Sequence, residues 1–336
     1  MTEVLERADP APPPSGEALI ELQDLVVEYG DVRAVDHLSL TIHTGEIVGL
    51  AGESGCGKST TGNAIMQILR PPAQIKGGRI LFRGDDLTRK STKELRRYRW
   101  RNVSMVFQSA MNALNPVMRV DRQFVDMMQA HERVDRRTAV LRAGELLELV
   151  GIDRSRLRAY PHELSGGMRQ RVIIAMALAL GPEVVIMDEP TTALDVVVQR
   201  EILQEIDALK RDLGFSVLFI THDLSLLIEL ADRIGIMYAG ELVELLPART
   251  LAERALHPYT HGLLRSFPPL TGPVERMTGI PGSPPDLADP PAGCRFHPRC
   301  PHCRPDDTAL YARQTTERPV LREVEPGHSV ACHLIS

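Results

Sequence analysis

The chain has no stretch of apolar residues long enough to cross a membrane. Its longest uninterrupted run covers residues 172–180, well short of the ~20 that a helical span requires. It also lacks a basic excess: 39 Lys and Arg stand against 44 Asp and Glu, for a formal net charge of −5. A global positive field of the kind that gathers nucleic acid is therefore absent. The opening residues, Met-Thr-Glu-Val-Leu-Glu-Arg, are acidic where a secretory signal would be basic. There is no internal repeat. These absences predict a cytosolic protein. If it serves a membrane, it does so peripherally, docked on other subunits.

What is present is an ordinary globular composition, 43% hydrophobic and 25% charged over 336 residues. That suffices for one large domain or two moderate ones with a real core. Residues 1–17, with Ala8-Asp9-Pro10-Ala11-Pro12-Pro13-Pro14, are expected to be a disordered lead. Leu38-Ser39-Leu40-Thr41-Ile42 then alternates like a half-buried strand. Glu46-Ile47-Val48-Gly49-Leu50-Ala51 is nearly continuously apolar, ends in a Gly-rich turn, and runs into a helical stretch over 58–69. Strand, turn and helix in that order begin a βαβ unit.

Residues 90–165 are richer in charge and in 3.6-residue periodicity, as in Ala143-Gly144-Glu145-Leu146-Leu147-Glu148-Leu149-Val150, and predict a helical subdomain. Strand signals return at Val184-Val185-Ile186-Met187-Asp188 and Val217-Leu218-Phe219-Ile220-Thr221, with a helix over 199–212 between them. A last β region covers 233–243. The expected division is an α/β domain over 18–250 and a small separate appendage over 251–336, where Pro, Gly, Cys and His become frequent. The run Arg96-Arg97-Tyr98-Arg99-Trp100-Arg101 interleaves aromatics with arginines as single-strand binders do. It lies inside the α/β core and reads as a solvated helical face.

Gly52-Glu53-Ser54-Gly55-Cys56-Gly57-Lys58-Ser59 fits G-x-x-x-x-G-K-[ST]. Its glycines let backbone N–H groups curl around a phosphate, and the following helix aims its positive end at the same place. Lys58 supplies a point charge for the β- and γ-phosphates, and Ser59 a hydroxyl ligand for Mg²⁺. Asp188 and Glu189 close a buried strand, where α/β sheets bind ligands. Asp188 suits Mg²⁺, held through water, and Glu189 suits a general base for the attacking water. Cys56 lies in the loop near a helix start that favours thiolate, but its expected native role is that of a small residue filling a tight loop.

Leu164-Ser165-Gly166-Gly167-Met168, with the motifs above, makes the chain resemble an ABC-type ATPase over about residues 19–245. Met168 departs from the Gln usual at that place, while Arg169-Gln170-Arg171 matches the form in peptide-importer ATPases. The resemblance implies a P-loop α/β fold with an antiparallel β subdomain and a helical subdomain. It implies that Gly52, Ser54, Gly55, Cys56, Gly57, Lys58, Ser59 and Thr60 touch ATP. Tyr29 would stack on adenine, and Gln108 would sense Mg²⁺ and the γ-phosphate. His222 would contact the γ-phosphate and position the water, and Asp195 would sit in a loop crossing to a partner. Ser165, Gly166 and Gly167, ahead of a helix over 168–180, would face the nucleotide held by that partner. Two chains would thus sandwich two nucleotides head to tail.

His257-Pro258-Tyr259-Thr260 with Leu263-Leu264, Ile280-Pro281-Gly282-Ser283-Pro284-Pro285, Cys294-Arg295-Phe296-His297-Pro298-Arg299-Cys300-Pro301 and Val330-Ala331-Cys332-His333 resemble the tail of ATPases in the oligopeptide, dipeptide and nickel importer group. Several of these carry a [4Fe–4S] cluster on four cysteines, which here would be Cys294, Cys300, Cys303 and Cys332. The third cysteine falls about four positions earlier than the group's pattern. Tetrahedral zinc is the competitor, with His297, His302 and His333 as further ligands; free thiols or a disulfide is the remaining alternative. The resemblance further implies a second, related ATPase subunit, two integral membrane permeases and an external solute-binding protein, with no nucleic acid. The function implied is ATP hydrolysis driving uptake of di- or oligopeptides, or related small solutes, from the cytoplasmic face of the membrane. A soluble ABC ATPase of DNA repair or translation is the alternative.

Overall fold

A computed structural model describes residues 16–108, 113–192, 194–266 and 279–335. Most of the expected lead, and Ala193 of the loop before Asp195, lie outside them. The chain opens with β1 (Ala18–Tyr29), β2 (Val32–His43) and β3 (Ile47–Ala51), then α1 (Lys58–Ile65), β4 (Ala73–Phe82) and β5 (Asp85–Asp86). Next come α2 (Thr92–Tyr98), β6 (Val103–Val106), α3 (Val120–His131), α4 (Arg136–Leu149) and α5 (Gly166–Leu178). The second half of the domain is β7 (Val184–Asp188), α6 (Val196–Leu213), β8 (Ser216–Ile220), α7 (Leu224–Leu230), β9 (Arg233–Tyr238) and β10 (Glu241–Pro247). Helices α8 (Leu251–Arg254), α9 (Pro258–Arg265) and α10 (Thr308–Thr316) and strands β11 (Arg322–Glu325) and β12 (His328–Val330) complete the chain.

Two sheets carry the fold. A four-stranded antiparallel sheet has the order β2-β1-β4-β5, and an eight-stranded mixed sheet runs β11-β12-β10-β9-β3-β8-β7-β6. In the larger one, β9, β3, β8, β7 and β6 are parallel. These strands read as unbroken apolar runs because both faces are covered. Alternate residues divide between two cores. Val48, Leu50, Val184, Ile186, Leu218 and Ile220 face the antiparallel sheet. Ile47, Ala51, Val185, Met187, Val217 and Phe219 face the helical layer. Shifting one strand by a single residue would exchange the two sets, so burial on both sides fixes the register.

Helix α1 ends at Ile65, short of the expected 69, because Gln67 turns to φ +54 and Pro71-Pro72 follows. The arginine-rich run is partly structural. Tyr98 is buried edge-on against Phe82 at 5.4 Å between centroids, and Arg99 donates to the carbonyls of Met66 and Gln67 where α1 ends. Residues 90–165 hold α2, α3 and α4 but also β6, which pairs with β7 at the sheet edge. The tail differs most from expectation. Instead of standing apart, β12 pairs with β10 and β11 with β12, so the tail extends the main sheet. Tyr259, Leu263 and Phe296 lie in the helical-side core.

Candidate active site

Parallel strands deliver their carboxyl ends to one rim. The loop over 52–57 leaves β3, Asp188 and Glu189 close β7, His222 follows β8, and Gln108 follows β6. Leu50 of β3 and Asp188 of β7 both stand level with Ile220 of β8, so the four contributions meet at one height.

The loop can only be built with glycine at two places. At Gly52 (φ +148) a Cβ would sit 2.1 Å from the Met237 carbonyl oxygen, and at Gly57 (φ +104) 2.3 Å from that of Ala34. Gly57 also caps α1 without a side chain, which leaves the first-turn N–H groups facing the loop. Lys58 is buried, 6% exposed. Its Nζ donates to the carbonyl oxygens of Gly52 at 2.7 Å and Glu53 at 3.0 Å. It also donates to Cys56 Sγ at 3.6 Å, so this buried ammonium is held by neutral acceptors and suits an incoming anion. Thr60 Oγ1 lies 3.4 Å from the hydroxyl of half-exposed Tyr29, while Ser54 and Gly55 are exposed at the loop tip. Cys56 lies at a depth that favours the filler reading over the thiolate one. It is 4% exposed, and burial raises its thiol pKa against the pull of Lys58. It is the small residue that fills the loop.

Two short chains of hydrogen bonds organise the carboxylates. Ser59 Oγ donates to Asp188 Oδ1 at 2.9 Å. Burial raises the Asp188 pKa, with the Ser59 bond opposing. Glu189 Oε2 accepts from Gln108 Nε2 at 2.8 Å and Thr192 Oγ1 at 3.0 Å, and Oε1 lies 3.0 Å from His222 Nδ1. Burial pushes Glu189 up, but the His222 and Thr192 bonds prevail and hold it below the usual carboxylate range. Glu189 adopts φ +47, a left-handed turn that costs about 1 kcal/mol or more for a non-glycine residue and aims the carboxylate off the strand end. The donor set of Ser59, Asp188 and Gln108, all oxygen or amide, fits a hard divalent cation such as Mg²⁺.

The residues expected to face a partner's nucleotide stand apart from this rim. Among the described residues, no hydrogen bond joins Ser165, Gly166 or Gly167 to the loop over 52–59. Ser165 caps α5 by accepting from Met168 N–H at 3.2 Å. Asp195 caps α6 by accepting from the N–H groups of Val197 and Val198. The two starts adjoin, since a Cβ on Gly167 would meet Val198 Cγ1 at 2.9 Å.

All five cysteines are free. Burial pushes the thiol of Cys294 up to about 12 and that of Cys332 up to about 11, with neighbouring cysteines adding to both shifts. Yet among the described residues no group of three or more His, Cys, Asp or Glu is placed to hold a metal ion. Neither the cluster nor the zinc alternative has a gathered ligand set among the described residues. Sequence reasoning missed Thr192, Tyr259 and Arg299. Tyr259 and Arg299 reach Glu53 across 206 and 246 residues, a separation at which no local pattern could signal the contact.

A family profile described as ABC transporter matches residues 35–192, and one described as oligopeptide/dipeptide transporter, C-terminal region, matches 243–306. The chain is 45% identical to an oligopeptide transport ATP-binding protein of Bacillus subtilis, over 83% of this chain and 80% of that one. It is 42% identical to a dipeptide transport ATP-binding protein of the same organism, over 95% of each. With an oligopeptide transport ATP-binding protein of Salmonella typhimurium the identity is 40% over 97% and 96%. In structure it is similar to a dimeric post-hydrolysis ATP-binding cassette bound to ADP and phosphate, at TM-score 0.61 and 27% identity over 69% of this chain and 99% of that one. It is also similar to a protein from Clostridium perfringens that is part of an ABC transporter complex, at TM-score 0.62 and 27% identity over 70% and 92%.

Proposed function

This chain belongs to the ATP-binding proteins of ABC transporters, in the oligopeptide/dipeptide group, and we propose that it hydrolyses ATP to drive uptake of di- or oligopeptides. The observation that carries this reading is the pairing of a buried, carbonyl-held Lys58 in a glycine loop with a tail matching the peptide-transporter region. The alternative of a soluble ATPase in DNA repair or translation has no support from the relatives, which carry peptide-transport names.

The chemistry is positioning and electrostatics. Lys58 Nζ leaves its two carbonyls for the β- and γ-phosphate oxygens, where loop N–H groups add donors. Mg²⁺, when bound, supplies charge neutralisation on those oxygens, and Ser59, Asp188 and Gln108 are the residues that would hold it. Glu189 accepts the proton of the attacking water, and Gln108, Thr192 and His222 fix the orientation of its carboxylate. Tyr29 offers its half-exposed ring to the adenine. Ser165 and the adjoining glycines serve the nucleotide of a second, related ATPase subunit, and Asp195 sits where the two subunits cross. Two membrane permeases and an external solute-binding protein complete the assembly at the cytoplasmic face. No helix among the described residues is long and apolar enough to cross a membrane, so anchoring falls to those permeases. Reconstitution with permeases, partner ATPase and binding protein tests the reading. Peptide-dependent stimulation of ATPase and peptide accumulation are expected; ATPase indifferent to every peptide would remove the cargo assignment.

As a finer reading, Cys294, Cys300, Cys303 and Cys332 ligate a [4Fe–4S] cluster. A cubane spaces its thiolates more widely than a single ion does, and soft sulfur donors suit iron. Burial favours the protonated thiols, so cluster binding must release protons. Anaerobically purified protein is expected to absorb in the visible and to contain iron and sulfide; colourless, iron-free protein rejects it.

A further inference from the structure

The segment between Cys294 and Cys300 reaches the phosphate loop directly. Arg299 Nη1 donates to Glu53 Oε2 at 2.7 Å and Nη2 to Oε1 at 3.0 Å. Such a two-pronged pair fixes the carboxylate in orientation as well as distance. The arginine side chain is 6% exposed and that of Glu53 25%, so salt screens this pair less than a surface bridge. Arg299 is itself anchored. Its Nε donates to the Pro281 carbonyl at 2.8 Å, and its guanidinium lies 5.8 Å from the Tyr238 ring centroid. Tyr259 supplies a third tie, because its hydroxyl accepts the Glu53 backbone N–H at 2.9 Å. The ring of Tyr259 is wedged against Tyr238 and Phe296, at 4.5 and 5.4 Å between centroids.

Glu53 is thus held by side chain and backbone at once, and its carbonyl is one of the two on which Lys58 rests. The loop around it contains Gly52, Gly55 and Gly57, all at positive φ, and such a segment loses much freedom on becoming ordered. A cavity of ≈ 270 Å³ lies behind it, lined by Glu53, Cys56, Tyr238, Pro285 and Leu287 among others. An untied loop has room to relax into that space.

We propose that Arg299 and Tyr259 are positioning residues for the phosphate loop, ordering Glu53 in advance so that ATP does not bear the cost of ordering it on binding. The inference rests on residues 52–59 being the ATP loop. Preorganisation of this kind acts on affinity rather than on the chemical step.

The test compares KM and kcat for ATP in the assembled transporter, with ATP affinity of the full-length chain by equilibrium titration. Arg299→Ala is expected to raise KM roughly tenfold, as removal of a supporting partner does at other sites, with kcat within about twofold. Arg299→Lys, which keeps charge but offers one prong, recovers part of the loss. Tyr259→Phe deletes only the acceptor and is expected to raise KM about threefold, an order-of-magnitude figure for one hydrogen bond. Arg318→Ala is the control, because Arg318 ties the tail to Glu241 at 3.0 Å and to Asp36 without touching the loop. It is expected to lower Tm and leave KM alone. Wild-type KM in Tyr259→Phe and Arg299→Ala overturns the proposal, as does an Arg318→Ala effect on KM equal to that of Arg299→Ala. If Arg299→Ala does not fold, Tyr259→Phe alone decides. A wild type that fails to bind ATP would instead sink the functional reading, and the brace with it.

Discussion

Helices α1 and α5 both begin in glycine turns, yet their starts are built differently. The α1 start is enclosed: Gly52, Cys56, Gly57 and Lys58 are buried, a cation is in place, and no side chain caps the helix. The α5 start has no lysine, is capped by its own Ser165, and leaves Ser165 and Gly166 exposed. Beside it, Val196 and Val197 at the α6 start are 79% and 69% exposed, an apolar pair suited to burial by another subunit. An anion site needs converging donors and exclusion of water. The first start supplies both from within the chain, whereas the second is open and self-capped, and under the proposed function it is half a site that a partner would complete.

Substitutions can break this contrast at graded cost. Glu189→Gln is expected to lower phosphate release by about 10²–10⁴-fold, the usual worth of a general base, while ATP affinity by titration stays near wild type. Turnover close to wild type would place the base elsewhere. Lys58→Ala strikes binding itself and should weaken ATP affinity of the isolated chain by about 1.5–3 kcal/mol, as loss of charged hydrogen bonds does. Ser165→Ala separates the two starts most cleanly. ATP affinity of the isolated chain should not change, the α5 cap should lose about 1 kcal/mol, and ATPase of the assembled transporter should drop. A loss of affinity in the isolated chain would mean that both starts serve the same nucleotide.

The smallest effect concerns the tie between α5 and α6. Glu205 accepts from Arg171 at 2.8 Å, and burial nevertheless pushes the acid up to about 7 from 4.5. Because the folded value exceeds the unfolded one, the native state retains the proton longer. The associated stability is present below about pH 4.5 and is lost as pH rises through about 7. Tm should therefore fall between about pH 5 and about pH 8, and Glu205→Gln should flatten that slope. An unchanged slope would assign it to other groups.

The enclosed start was legible in the sequence because its chemistry is local. Glycines, Lys58 and Ser59 occupy consecutive positions, and the apolar runs before Gly52 and Asp188 announce strands buried on both faces. Asp188 and Glu189 were legible as a strand ending, whereas His222 was legible only through the family resemblance. Residues bound by distance were not. The contact of Tyr259 with Glu53 and the union of β12 with β10 depend on how the tail returns over the sheet, which turn chemistry alone does not specify. Cys56 shows the same limit. Nearness to a helix start argued for thiolate, but the depth that raises its pKa is a tertiary property.

The outermost strand of the large sheet, β11, reads Arg322-Glu323-Val324-Glu325, with every residue exposed. An open row of backbone donors and acceptors invites strand addition from any neighbouring chain. Charged side chains along that row, one of them tied back by Arg254 to Glu325 at 2.9 Å, make such annealing unfavourable. Neighbouring copies crowded together are thereby discouraged from joining their large sheets edge to edge through this strand.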